Sequence, residues 1–324
     1  MSDYKNNFFN EDCITGCQQH LPDASVDLIV TDPPYGINGG ALDKHYHRKE
    51  DYVIDGYVEV PPEEYGEFTR QWITEAERIL KPGGSIYVIS GYTHLYHILD
   101  ALRQTSLEEQ NHIIWKYNFG VYTKNKYVSS HYHILYYTKP GATPTFNTYV
   151  RYGAQEKDMG GGSLNYQDRE DVWTINREYK PGQQKNKNEL PTDLLIKIIQ
   201  YSSNPGELVC DLFLGSFSTA KVARGLNRDA TGFEISTKAW QYQMKQMEQI
   251  HPGHLLKKIR TPETTLPENQ GKPWSEAELQ RLESRFRELS EDARTKKQII
   301  GKLCEEFGRG YFGILNRINS LKSE

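Results

Sequence analysis

The 324-residue sequence lacks the features that mark exported, membrane-spanning or metal-binding proteins. Its only four cysteines, Cys13, Cys17, Cys210 and Cys304, form no CxxC pair and no cluster with histidine. We therefore expect reduced, mostly buried thiols and no metal site. No apolar run approaches the roughly 18 residues of a membrane span, and residues 1–10 lack a signal-peptide core. These absences predict a cytoplasmic protein with no membrane partner.

The sequence also lacks an overall excess of positive charge, since its formal net charge is −4. The charges are unevenly distributed, however. Residues 1–100 carry 17 acidic and 7 basic side chains, whereas residues 116–187 carry 6 acidic and 11 basic ones. Local charge sets the field that a polyanion meets. The middle segment is therefore a candidate nucleic-acid surface, with ordinary scatter of charge as the alternative.

Short β-branched runs alternate with amphipathic stretches, a pattern typical of an α/β fold with a doubly wound, mostly parallel sheet. The expected strands are Asp27–Thr31, Ser85–Ser90, Ile113–Tyr117, Ile134–Thr138, Glu207–Phe213 and Ala230–Glu234. Helices are expected at Pro62–Leu80, which the segment Lys81-Pro82-Gly83-Gly84 would end, and at Thr192–Ser203.

The end of the sequence differs from this pattern. Residues 261–272 contain prolines and glycine and are expected to be a linker. Residues 273–324 predict a small all-α domain of three helices. The first would begin at a capping box formed by Ser275 and Glu278, and the others would cover Lys296–Phe307 and Tyr311–Leu321. The rest, residues 1–260, would form the main domain.

The tetrapeptide Asp32-Pro33-Pro34-Tyr35 follows an apolar strand, and in doubly wound folds ligands bind beyond the carboxyl ends of strands. The prolines remove two N–H donors, so the segment presents a carboxylate and carbonyl oxygens. These acceptors suit the exocyclic amine of adenine or cytosine, and Tyr35 offers a stacking face. A simple turn with an aspartate cap is the alternative for these four residues alone.

A second signal begins at Asp211, where an apolar run leads into Phe213, Gly215, Ser216, Phe217 and Ser218. A strand, a glycine turn and the start of a helix can form a pocket for a nucleotide-like ligand. Glu234 ends the next strand, where a carboxylate can accept both ribose hydroxyls. An exposed strand-end charge is the alternative for Glu234.

Taken together, Asp32–Tyr35, Lys81–Gly84, and Asp211–Thr219 with Glu234 resemble the motifs of the amino-methyltransferases of DNA. Their order is similar to that of the permuted beta class, over roughly residues 8–250. The resemblance implies a Rossmann-like fold that binds S-adenosyl-L-methionine and flips a base from double-stranded DNA. Asp32, Pro33, Pro34 and Tyr35 would be catalytic, with Tyr35 stacked on the base.

The same resemblance implies the cofactor contacts. Phe213, Gly215 and their neighbours would line the methionine end, Glu234 would bind the ribose, and Asp12 with Cys13 would lie at the adenine. Phe217 replaces the usual second glycine of the loop, which leaves the closest backbone approach there in question. The family's target-recognition region would correspond to residues of about 140–187.

Residues 273–321 resemble, more weakly, a helix-turn-helix or Myb/SANT-like module, with a purely structural appendage as the alternative. The expected DNA contacts are the basic residues Lys124, Lys126, Arg151, Arg169, Arg177, Lys185, Lys187, Arg309 and Arg317. Within the family, Asp-Pro-Pro-Tyr correlates with adenine N6, so we expect a site-specific adenine-N6 methyltransferase. The alternatives are cytosine N4 and a DNA-binding regulator with an inactive domain. A homodimer, a cognate restriction endonuclease and association with the nucleoid are further expectations.

Overall fold

The computed structural model describes residues 4–34, 60–118, 120, 122, 124–158, 160–177, 189–262, 268–269, 272–291 and 295–321. The chain divides into two compact units. The first contains residues 1–151 and 169–260, and the second contains residues 152–168 and 261–324. The first unit ends where the sequence predicts the main domain to end. Residues 152–168, which we expected in that domain, belong instead to the second unit.

The described residues of the first unit form an eight-stranded sheet. Its strands are β1 (Phe8–Phe9), β2 (Val26–Thr31), β3 (Leu80–Ser90), β4 (Glu108–Lys116), β5 (His131–Thr138), β6 (Val172–Thr174), β7 (Leu208–Asp211) and β8 (Asp229–Phe233). The order across the sheet is β1-β8-β7-β2-β3-β5-β4-β6. Strand β5 runs antiparallel to both β3 and β4, and the other pairings are parallel. The mostly parallel sheet predicted from the sequence is confirmed.

Helices cover both faces of this sheet, because its central strands are apolar on both sides. Buried residues of α1 (Cys13–His20), α2 (Tyr65–Ile79) and α3 (Leu95–Arg103) pack on one face. Those of α5 (Thr192–Ser202), α6 (Ser218–Gly225) and α7 (Thr237–Met247) pack on the other. The thiols of Cys13, Cys17 and Cys210 lie unpaired in the first of these layers, where burial raises their pKa values.

The prediction that the helix ends before Lys81–Gly84 is confirmed, whereas the strand predicted to begin at Ser85 begins earlier. Helix α2 stops at Ile79, and Lys81–Gly84 already belongs to strand β3. Gly83 has a φ of 76° in this segment, and its N–H donates to the carbonyl of Lys139, 2.8 Å away. The Pro-Gly-Gly sequence therefore shapes the first part of a strand and does not form a separate loop.

The second unit contains α4 (Leu164–Asp168) and three helices near the end of the chain, α8 (Glu276–Glu291), α9 (Lys296–Phe307) and α10 (Tyr311–Leu321). These three share a small core that includes Leu282, Ile300, Leu303 and Ile314. The bounds of α9 and α10 agree with the sequence prediction. Within the described part of the chain, no helix has the length and apolar character that crossing a bilayer requires.

The capping box predicted for α8 is only half formed. The Ser275 hydroxyl accepts the N–H of Glu278, but the Glu278 carboxylate pairs with Arg309. A complete capping box occurs instead at α9, where the side chains and backbones of Thr295 and Gln298 bond reciprocally. The side chain of Glu278 is recruited by a buried cation, which a local motif cannot reveal.

Candidate active site

The predicted site residues meet at the carboxyl edge of the sheet, because the strands that precede them run in parallel. Asp32 follows β2, and the loop beginning at Leu212 follows β7, the neighbouring strand. The register pairs Ile29 with Cys210, which places Thr31 and Leu212 level with each other. Glu234 follows β8 on the next strand along. The topology thus brings two motifs that are about 180 positions apart in sequence to one place.

The Asp32–Pro34 segment leaves the sheet as a short extended stretch. Pro33 is buried, and Asp32 and Pro34 are partly buried. The Pro34 carbonyl accepts a hydrogen bond from the hydroxyl of Tyr65 at 2.9 Å. Tyr65 is buried at the start of α2, and its ring stacks on His94 at 4.4 Å. Tyr65 therefore fixes the segment, a role that the sequence did not indicate. Tyr35 lies outside the described residues.

Asp211 ties the two halves of the site together. Its Oδ1 accepts the hydroxyl of Thr31 and the N–H of Phe213, each at 3.1 Å. Burial raises the pKa of Asp211 from its ordinary value near 3.8 to about 6, against these hydrogen bonds, which lower it. The side chain is 5% exposed. Asp211 therefore acts on the site by positioning the end of β2 and the loop after β7 from within the protein interior.

The loop after β7 turns through two left-handed residues, Gly215 with φ 49° and Phe217 with φ 58°. A left-handed conformation costs a non-glycine residue roughly 1–2 kcal/mol. The Phe217 ring is fully buried and lies 5.2 Å from the ring of Phe8. Phe217 therefore keeps the backbone conformation that a glycine would adopt there, and its side chain points into the core.

Glu234 faces the Gly215 turn. Its Oε2 accepts the N–H of Gly215 at 2.9 Å, and its Oε1 accepts the N–H of Ser236 at 2.8 Å. Burial raises the pKa of this carboxyl above its ordinary value, against the two backbone bonds, which lower it. Each carboxylate oxygen has a second lone pair. Glu234 can therefore accept two vicinal hydroxyls without losing its present partners, which fits a ribose.

Asn10 fixes the position of this carboxylate. Its side-chain amide donates to the carbonyls of Glu234 and Ile235, at 2.8 and 3.3 Å, and so joins the ends of β1 and β8. Asp12, two residues further on, caps helix α1, since its Oδ1 accepts the N–H groups of Ile14 and Thr15. A carboxylate at this position is stabilised by the dipole of the helix.

The remaining predicted cofactor residues differ in the contacts that their side chains make. The thiol of Cys13 is buried in the core, so only its backbone could contact a ligand. The partly buried Phe213 ring packs edge-on to Trp72 at 5.6 Å. The hydroxyls of Ser216 and Ser218 bond to each other at 2.6 Å. Phe213, Ser216 and Ser218 therefore belong, with Gly215, to the segment that follows β7 at the carboxyl edge of the sheet.

The predicted DNA contacts are placed unequally. Lys124, Lys126, Arg169 and Arg317 are exposed, and Arg151 and Arg177 are partly buried. Lys124 and Lys126 lie between β4 and β5, whose junction is at the same edge as Asp32. Arg317 lies in the second unit. Lys185 and Lys187 fall outside the described residues.

Arg309 does not match its prediction as a DNA contact. The residue is 5% exposed, its guanidinium pairs with Glu278 at 2.7 Å, and it lies over the Trp274 ring at 4.0 Å. It also donates to the carbonyls of Asn269, Lys272 and Pro273. Because its donors are used inside the helical unit, we correct this prediction: Arg309 has a structural role.

Comparison with known proteins agrees with this arrangement. The model of the N6/N4 family, described as DNA methylase, matches residues 26–245, which include both motifs of the site. The chain belongs to the N6/N4 DNA methylase family. It is 31% identical to the type II methyltransferase M.BamHI of Bacillus amyloliquefaciens over 70% of this chain and 54% of that protein. It is also 31% identical to the type II methyltransferase M.HpaI of Haemophilus parainfluenzae, over 67% of each chain. The chain thus spans about half the length of the first of these relatives.

Solved structures show the same fold. TTHA0409 of Thermus thermophilus, crystallised with S-adenosyl-L-methionine, superposes with a TM-score of 0.54 at 21% identity, over 76% of this chain and 95% of that one. PvuII DNA methyltransferase, which is cytosine-N4-specific, also gives 0.54, at 13% identity over 80% of this chain and 94% of that one. The Rossmann-like fold expected from the sequence is confirmed.

Proposed function

We propose that this protein transfers a methyl group from S-adenosyl-L-methionine to the exocyclic amine of a base flipped from duplex DNA. The observation that carries the proposal is that Asp32 and Glu234 follow strands at one edge of the sheet, where Thr31 donates to Asp211 and the Gly215 N–H donates to Glu234. A methyl donor in the pocket would then lie next to acceptors suited to an amine. The names of the family's type II members support the same substrate class.

In this proposal Asp32 and the Pro33 carbonyl accept the two hydrogens of the amine, and Tyr35 stacks on the base. Accepting both hydrogens favours a pyramidal nitrogen with an available lone pair. When bound, S-adenosyl-L-methionine supplies the activated methyl group. Because no covalent intermediate with the protein is needed, positioning is the main source of rate. Glu234 would hold the ribose, and Asp12 would lie near the adenine.

Adenine N6 is the amine that we propose, by the correlation between this target and Asp-Pro-Pro-Tyr. Cytosine N4 is the second candidate, because the cytosine-N4-specific PvuII enzyme shares the fold. We further propose the permuted beta class, a DNA-contacting helix-turn-helix-like role for the α8–α10 helices, and target recognition by the 140–187 region. The proposed DNA contacts are Lys124, Lys126, Arg151, Arg169, Arg177, Lys185, Lys187 and Arg317. A cognate endonuclease, a homodimer and action on the nucleoid in the cytoplasm complete the proposal.

The experiment is methylation of duplex DNA with labelled S-adenosyl-L-methionine, followed by mass spectrometry of the nucleosides. We expect N6-methyladenine; N4-methylcytosine alone would replace the first candidate by the second. Asp32→Ala should abolish transfer while calorimetry still detects cofactor binding. Asp193→Ala, which removes an exposed carboxylate at the start of α5, is the matched control and should remain active. A wild-type protein that binds DNA but not the cofactor would instead favour the inactive regulator.

A further inference from the structure

Three aromatic side chains cluster where β4 ends and β5 begins. The ring centroids of Trp115, Tyr117 and Tyr132 lie 5.5–5.7 Å from one another. The guanidinium carbon of Arg177 lies over all three rings, at 5.9, 4.8 and 5.2 Å respectively. We call these four residues the arginine box. Stacking on several rings holds a guanidinium in one orientation, because each ring face attracts the cation.

The backbone also holds Arg177 in place. The indole N–H of Trp115 donates to the carbonyl of Ile175 at 2.8 Å, and the N–H of Ile175 donates to the carbonyl of Lys116 at 3.1 Å. Strand β6, which precedes Ile175, is paired with β4 in register. Arg177 is only two residues beyond Ile175, so its backbone continues from a fixed strand end. Its charge is held in place before any ligand arrives.

This cation has no counter-ion among the described residues. Its Nε is buried and has no hydrogen-bond acceptor in the part of the chain that the structure describes. The two buried arginines of the described chain differ, since Arg309 pairs with Glu278 and the Nε of Arg228 donates to the hydroxyl of Ser203. A partly desolvated charge is costly unless something of opposite sign compensates it. Among the described residues the arginine box therefore lacks an anion, and a negatively charged ligand would compensate its charge.

The position of the box indicates which anion. It lies at the carboxyl edge of the sheet, as Asp32 does, with β3 and β5 between β2 and β4. At about 4.8 Å per strand, the two are about 14 Å apart, which equals about four base pairs of duplex. Resting on the proposed function, we infer that the arginine box binds a backbone phosphate of the DNA about four base pairs from the flipped nucleotide. A planar fork of N–H donors matches two phosphate oxygens, whereas Lys124 and Lys126 are exposed on flexible stems.

The test is the salt dependence of DNA binding, because each phosphate contact contributes about −0.9 to the slope of log K against log salt. Fluorescence anisotropy would follow a labelled duplex of about 30 base pairs of mixed sequence, from about 50 to about 200 mM salt. We expect Arg177→Ala to make the slope shallower by about 0.9 and to weaken binding about tenfold. Arg177→Lys should keep the wild-type slope and bind with intermediate affinity, since it keeps the charge but not the fork.

Two further variants keep the result interpretable. Arg177→Met fills the box without a charge, so it should reproduce the slope of Arg177→Ala even if that variant folds poorly. Arg103→Ala removes one exposed charge in the last turn of α3, before β4 starts at the opposite edge, and should leave the slope unchanged. Calorimetry should give the same affinity for S-adenosyl-L-methionine in all four variants.

The outcomes separate this inference from the proposed function. A wild-type slope in Arg177→Met, with normal methylation by the wild type, would overturn the inference alone. A changed preference among duplex sequences at an unchanged slope would also overturn it, by assigning Arg177 to a base edge. A wild type that binds DNA with the expected slopes but transfers no methyl group would refute the proposed function and leave the phosphate site standing.

Discussion

Replacing Asp211 by asparagine probes the electrostatics directly beneath the two loops of the site. The substitution keeps the size of the side chain and an oxygen that can accept from Thr31 and Phe213, as Asp211 does at 3.1 Å. It removes the ionisation of a carboxyl group that is 5% exposed and turns its other oxygen into an NH2 donor, a change whose effect on stability does not depend on pH. The two proteins should therefore differ mainly in how their free energies of unfolding depend on pH.

The magnitude follows from the pKa of Asp211, which burial raises from near 3.8 to about 6 in the folded protein. Below the pKa of Asp211 in the unfolded state, the carboxyl is protonated in both the folded and the unfolded protein, and it destabilises neither. As the pH rises between the pKa of the unfolded state and that of the folded state, the unfolded state ionises first. The folded state therefore loses stability until the pH exceeds its own pKa. At 1.36 kcal/mol per pKa unit the full loss is about 3 kcal/mol, of which about 2 kcal/mol falls between about pH 4.5 and about pH 8.

Urea unfolding at these two pH values, followed by tryptophan fluorescence, measures the difference between the two proteins. Other titrating groups cancel in that difference. We expect the stability of Asp211→Asn relative to wild type to increase by about 2 kcal/mol from the lower to the higher pH. Asp193→Asn, which removes an exposed carboxylate, controls for the change in net charge. A relative stability that stays constant, or that moves the other way, would refute the assignment of a buried, destabilised carboxylate at Asp211.

Three further predictions concern single side chains. Tyr65→Phe removes the donor to the Pro34 carbonyl and should lower kcat about tenfold, with unchanged cofactor affinity in calorimetry. The free energy of unfolding should fall by about 1 kcal/mol. An unchanged kcat would show that Tyr65 does not position the segment. Phe217→Ala should cost about 3–5 kcal/mol in urea unfolding, because the ring is fully buried, and a loss below about 1 kcal/mol would contradict the packing. Arg309→Ala should destabilise α8–α10 by about 1–3 kcal/mol, seen as faster hydrogen exchange there, because the carbonyls of Asn269, Lys272 and Pro273 lose their donor. Unchanged exchange would return Arg309 to the candidate DNA contacts.

Local chemistry in the sequence was enough for several features. The β-branched runs at Val26–Thr31 and Leu208–Asp211 predict strands because strand packing selects such residues. The apolar periodicity of Lys296–Phe307 predicts a helix with the observed bounds. Asp32–Pro34 and Glu234 could be selected as site candidates because their residue types suit an amine and a ribose. Each of these signals lies within a few consecutive residues.

The tertiary structure alone decided which distant residues meet. Tyr65 gives no sign in sequence that its hydroxyl reaches the Pro34 carbonyl, because the contact depends on how α2 packs on the sheet. Arg309 and Arg177 are equally basic in sequence, yet one is enclosed with Glu278 and the other lies on aromatic rings without a counter-ion among the described residues. The sequence determined which groups are available, whereas long-range packing determined their burial and partners, and thereby which charge can meet a ligand.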